Sequence, residues 1–363
     1  MKKPAEYFPI VATLISIILV ELILLRFPHN AAISNQDYAK TALSNIRNKT
    51  PKVFEYIREK LPNIIKEGGI SRTIQLTKEA FQQEAITMYQ CHTLAHNIGH
   101  YSKLNISDNF SVLTKIGVDF CEGGFKHGLE AEIALQGLRN GTEFRPELYN
   151  LCVQLLKISK SGDCYHGAGH EFMRETMDAK KALALCDTLT GGPVKNITNC
   201  YNGVFSEYTN LIGAVDGETG YRLPSAPLKL NNTSMDFCAS LESQYQIPCA
   251  LELNGYGFGT NSTQTDLEKS LNNCIDKRYK KALQVACIHS VSAVFYQHQL
   301  PKSNTIIIPD YILPWPDDFR KAYISGAGTE MAQFLKNGVS KDWSRFCKSF
   351  SQDDYDFCVG FFR

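Results

Sequence analysis

"CYHGAGHEFM", residues 164–173, carries a cysteine, two histidines and two glycines, and its recurrence decides the fold. It aligns without gaps with CEGGFKHGLE (121–130), CYNGVFSEYT (200–209), CALELNGYGF (249–258) and CIHSVSAVFY (287–296). YISGAGTEMA (323–332) continues the series with Tyr323 in the cysteine's place, and CVGFFR (358–363) truncates it. Successive starts lie 43, 36, 49, 38, 36 and 35 residues apart, a spacing that suits one helical hairpin per repeat. Segments such as RPELYNLCVQLLKIS and MDAKKALALCDTLT place apolar residues at helical spacing, with Cys152 and Cys186 on the apolar side. Glycine inside a helix costs about 1 kcal/mol relative to alanine. Its return at Gly124, Gly167, Gly203 and Gly326 therefore points to close helix packing.

Ten of the twelve cysteines form close pairs: 152/164, 186/200, 238/249, 274/287 and 347/358, with 10 to 13 residues between partners. Zinc pairs sit two to four residues apart, so these gaps predict disulfides that tie one helix to the next. Cys91 and Cys121 are then paired by elimination. The pattern over 121–363 resembles the secreted cysteine-rich proteins of the tetratricopeptide-like class, in which a disulfide staples each helical hairpin. The resemblance implies architecture alone: an all-α chain whose repeats stack into a solenoid.

The N-terminus supplies the compartment. From Phe8 to Phe27 only Glu21 and Arg26 are charged, long enough for one membrane-spanning helix. Lys2 and Lys3 favour a cytoplasmic N-terminus. A cleaved signal peptide would have a shorter apolar run and a better cleavage site than PHNAA. The expected organisation is a cytoplasmic stretch 1–7, a transmembrane signal anchor 8–27, a helical linker 28–90 and an extracytoplasmic repeat domain 91–363. This makes the chain a single-pass membrane protein with its C-terminal domain outside the cytoplasm, where disulfides persist. Net charge is +1, so no attraction to nucleic acid is expected.

Six of the nine histidines lie between His92 and His170. His92, His96 and His100 follow helical i, i+4, i+8 spacing, and His166 and His170 form another i, i+4 pair. His127 and His170 share one repeat position, six after the cysteine; later repeats hold Ser206, Gly255, Ala293 and Thr329 there. Equivalent positions on stacked helices face one groove. The expected metal ligands are His96, His127, His166 and His170, with Glu130 as carboxylate and His92 or His100 as an extension. Neutral imidazoles suit zinc, copper or iron. The plain alternative is imidazoles that cap helices or hydrogen-bond in a polar groove. HEFMR (170–174) lacks the second histidine of a zinc-protease helix, and no phosphate loop, nucleophile elbow or haem motif is present. Two functions follow. One is a binding scaffold for a protein, peptide or envelope component, with a His-rich metal site in its first repeats. The other is an extracytoplasmic enzyme dependent on Zn, Cu or Fe, a hydrolase or oxidoreductase.

Overall fold

The computed structural model describes residues 34–102, 120–158, 164–193, 197–215, 223–230, 233–259, 261–300, 309–336, 344–348 and 350–362. In chain order its helices are α1 (Asn35–Lys49), α2 (Val53–Gln82), α3 (Met88–Tyr101), α4 (Gly124–Asn140), α5 (Arg145–Ile158), α6 (His166–Thr176), α7 (Ala179–Asp187) and α8 (Thr198–Ile212). There follow α9 (Ser234–Ala239), α10 (Ser243–Leu253), α11 (Gln264–Cys274), α12 (Lys281–Gln299), α13 (Asp317–Lys336), α14 (Ser344–Cys347) and α15 (Gln352–Val359).

The repeat phrase forms an inner layer. α3, α4, α6, α8, α10, α12 and α13 pack each on the next, while α5, α7, α9 and α11 lie outside them. The glycines set the spacing. A Cβ on Gly124 would lie 2.6 Å from the His92 carbonyl oxygen; on Gly167, 1.9 Å from that of His127; on Gly203, 1.9 Å from that of His166; and on Gly326, 2.2 Å from that of His289. Each of these four helices thus lays bare Cα against a carbonyl of its predecessor, an approach open only to glycine. Phe125, Phe172, Phe205 and Tyr323 are fully buried in the core. Each such side chain stabilises by roughly 1.5–3 kcal/mol through apolar area removed from water.

Five disulfides staple the array: Cys91–Cys121, Cys186–Cys200, Cys238–Cys249, Cys274–Cys287 and Cys347–Cys358. Such usage belongs to an oxidising, extracytoplasmic environment. A loop of about 15 residues closed this way stabilises by about 3 kcal/mol in the chain-entropy model. The expected sixth bond, Cys152–Cys164, is not formed: both residues are buried thiols, hydrogen-bonded to each other beside the Glu130 carboxylate.

The expected architecture was an N-terminal transmembrane helix followed by an α-solenoid of disulfide-stapled hairpins; the described residues are all-helical, and the transmembrane helix is corrected. No helix among the described residues is long and apolar enough to cross a membrane. The segment 8–27, on which the membrane partnership and single-pass placement rested, lies outside the described residues, as does the stretch 1–7. The array also curls until its ends meet. Phe81, at the end of α2, packs on Phe334 of α13 with ring centroids 5.6 Å apart. Gln297 Nε2 of α12 donates to Glu122 Oε2, just before α4, at 3.4 Å. The inner helices therefore close on themselves, and the groove shared by equivalent repeat positions faces inward.

Candidate metal centre

Three consecutive inner helices bring the six histidines together. α3 begins at a reciprocal cap: Thr87 Oγ1 accepts the Gln90 N–H and Gln90 Oε1 accepts the Thr87 N–H. This register turns His92, His96 and His100 to one side. The glycine contacts then draw α4 and α6 close, and the imidazoles form a continuous chain. Ring centroids are 6.2 Å apart for His92/His96, 5.0 Å for His96/His100, 5.3 Å for His92/His127 and 4.4 Å for His127/His166. They are 4.9 Å apart for His166/His170 and 5.6 Å for His96/His170. All four residues expected as principal ligands, His96, His127, His166 and His170, lie in this chain, and so do His92 and His100.

Their nitrogens are oriented from behind. His92 Nδ1 meets the Cys121 carbonyl at 3.0 Å, His100 Nδ1 meets Glu132 Oε2 at 3.1 Å, and His170 Nδ1 meets Glu207 Oε2 at 3.1 Å. His166 hydrogen-bonds the backbone of Asn199. Metal-ligating imidazoles are held in this way, one nitrogen on a carbonyl or carboxylate and the other free to bind. His166 Nε2 and His170 Nε2 stand 3.1 Å apart, close to the separation of about 3.3 Å between two imidazole nitrogens on one tetrahedral zinc. Both ring nitrogens of His96, Nε2 of His100 and Nδ1 of His127 are buried without a hydrogen-bond partner. Burial first, then neighbouring charge, disfavours protonation. His92 falls to about 4, and His96, His127 and His166 are held well below the usual imidazole range. These imidazoles are neutral at pH 7, the form that binds metal.

Glu130 serves elsewhere. α6 starts at Tyr165, which lies in the left-handed region with φ 74° and gives no side-chain cap. Glu130 Oε2 accepts the Gly167 N–H at 2.9 Å, so a carboxylate from α4 caps the next inner helix and meets its positive end. The same carboxylate converges with the Cys152 and Cys164 sulfurs, ligand atoms within 4.8 Å of one another. Among the described residues it is the one group of three ligand atoms that converges so closely; the histidines bring two nitrogens together, at His166 and His170. Burial raises the Cys152 thiol far above its ordinary value, which opposes the thiolate that zinc requires.

The carboxylates that do serve the histidines were not among those expected. Burial pushes Glu207 up, but Arg174 and hydrogen bonds from His170 and Asn210 hold it at about 2. Arg174 Nε lies 3.4 Å from Glu207 Oε1, and its Nη1 lies 3.2 Å from Glu171 Oε2. The signal was present in the repeat. The seventh position after the cysteine is Glu171, Glu207 and Glu330 in the phrases starting at 164, 200 and 323, and all three are buried.

The chain matches no family model, no curated protein and no solved structure. Its helices and disulfides are compatible with a cysteine-rich helical repeat architecture, and the tetratricopeptide-like resemblance has no support beyond that.

Proposed function

We propose that this is a metal-dependent protein of the extracytoplasmic space that binds one transition-metal ion, zinc, copper or iron, among His96, His127, His166 and His170. The observation that carries the reading is the His166/His170 pair, with its Nε2 atoms 3.1 Å apart and the Nδ1 of His170 fixed by Glu207. His96, whose ring nitrogens are buried and unpartnered, lies beside His170. A buried imidazole without partners is costly, and a cation at this point would satisfy it. An ion held by three of these imidazoles would keep its fourth position open, and would there act as a Lewis acid and lower the pKa of a bound water. Metal-dependent hydrolysis is the reaction class we favour. The scaffold reading, with a protein, peptide or envelope component on the concave face, is less well supported, because the closure at Glu122, Gln297, Phe81 and Phe334 narrows access to that face.

The test is uptake of zinc, copper(II) and iron(II), each offered alone to stripped protein. One of them should bind stoichiometrically, and His170→Ala should weaken it by at least about tenfold. No uptake of any of the three, or undiminished uptake by both His170→Ala and His96→Ala, would defeat the proposal.

A further inference from the structure

A buried cation stands beside the histidines. Lys126, in the first turn of α4, is 4% exposed, so its long side chain lies folded into the interior. A Cβ on Gly123 would stand 3.2 Å from His127 Nε2 and 3.4 Å from Lys126 Cε, so the imidazole and the lysine side chain flank one point. The lysine charge bears on His92, His127 and His166, and thus on all three helices of the chamber. The neighbouring carboxylates are engaged elsewhere. Glu132 meets His100, Glu207 meets His170 and Arg174, Glu171 meets Arg174, and Glu130 caps Gly167. Among the described residues no carboxylate pairs with Lys126. Burying an unpaired charge is strongly unfavourable, and the stacking of repeats does not call for one. In the other phrases the same column holds Gly169, Phe205, Asn254, Ser292 and Gly328, none of them charged. α4 also starts at Gly123 with no side-chain cap, so its first turn adds a partial positive charge.

We infer that Lys126 and the metal ion proposed for the neighbouring imidazoles hold one phosphoryl group between them, which makes the substrate a phosphate ester. The inference rests on the metal-dependent reading and names its substrate class. A metal ion and a buried ammonium side by side repel each other, and an anion bound to both reverses that repulsion. Lysine recognises phosphate as a point charge with three donors, whereas a planar carboxylate is matched by the arginine fork. Arg174, the arginine at hand, is already held by Glu171 and Glu207. An ion in this place polarises a phosphoryl oxygen and activates a water. In the hydrolysis the water oxygen forms the new bond to phosphorus and the ester P–O bond breaks. The departing oxygen takes the proton that the water loses.

Calorimetric titration with inorganic phosphate tests this, on the full chain both stripped of metal and loaded with whichever of zinc, copper or iron it takes up. The loaded wild type should bind one phosphate with Kd at or below about 10⁻³ M. Phosphate should tighten metal binding by the same factor as the metal tightens phosphate binding. Lys126→Met and Lys126→Gln should each weaken phosphate binding at least about tenfold while still taking up the metal. Acetate should bind at least about tenfold more weakly than phosphate. No phosphate binding by the loaded wild type, undiminished binding by both variants, or acetate bound as tightly as phosphate would overturn the inference. A chain that takes up no metal would defeat the metal reading, and the stripped protein then decides the role of Lys126. Phosphate bound by stripped wild type and lost in both variants upholds that role; no binding overturns it.

Discussion

Gly167→Ala tests the close backbone packing that assembles the histidines. A Cβ on Gly167 would stand 1.9 Å from the His127 carbonyl oxygen, with the carbonyl carbon at 2.6 Å and Cα at 2.8 Å. An ordinary carbon–oxygen contact is about 3.3 Å, so α6 must retreat from α4 by roughly 1.4 Å if the contact is relieved along the line between them. Nothing flexible lies in the way; all three atoms belong to backbone. Overpacking of this kind costs about 1–3 kcal/mol, and the better helix propensity of alanine returns at most about 1. The expected net loss is therefore about 1–2 kcal/mol. Gly68→Ala is the control, since its nearest neighbour is the Tyr38 hydroxyl at 3.1 Å, the end of a movable side chain; its stability should match or slightly exceed wild type. Urea unfolding followed by far-ultraviolet circular dichroism measures both through the midpoint at constant slope. The same retreat would pull His127 from His166, whose rings are 4.4 Å apart, so metal affinity should fall as well. Gly167→Ala with wild-type stability and wild-type affinity would refute the argument.

Glu207→Gln keeps the shape but removes the charge behind His170, so zinc affinity should fall by about 10- to 100-fold in a competition titration with little change in fold. In metal-free protein His92 is lowered to about 4 from an ordinary 6.5. The unfolded chain therefore takes the proton first, and wild type should lose stability relative to His92→Gln as pH falls from about 6.5 toward 4, with no such trend above that window; denaturant midpoints across pH check this. Thiol labelling of the unfolded, unreduced chain should modify Cys152 and Cys164 and no other cysteine, as read by peptide mass spectrometry.

The repeat was readable because the alignment of cysteine, glycine and histidine positions is a direct image of one helix packed on the next. Gly124, Gly167, Gly203 and Gly326 were legible for the same reason: a helix tolerates a repeated glycine only where something needs the room. Glu130 was placed with His127 because helical spacing sets it one turn beyond; its carboxylate accepts the Gly167 N–H and converges with Cys152 and Cys164, partners that helical spacing does not reveal. The Cys152/Cys164 gap does not distinguish that pair from its stapled equivalents; what differs is the carboxylate between the helices. Ring closure had no local signal at all, since Phe81 meets Phe334 and Glu122 meets Gln297 from distant parts of the chain. Glu207 was within reach, in a repeat column that a search confined to cysteine, glycine and histidine passes over.

X-ray absorption at the zinc edge of the zinc-loaded protein tests the central claim most directly, because the two candidate centres differ in donor atoms. The histidine chamber predicts a shell of nitrogen or oxygen at about 2.0–2.1 Å with the outer-shell pattern of imidazole. A sulfur shell at about 2.3 Å, which would place the ion on Cys152 and Cys164, would contradict it, as would a protein that retains none of zinc, copper and iron.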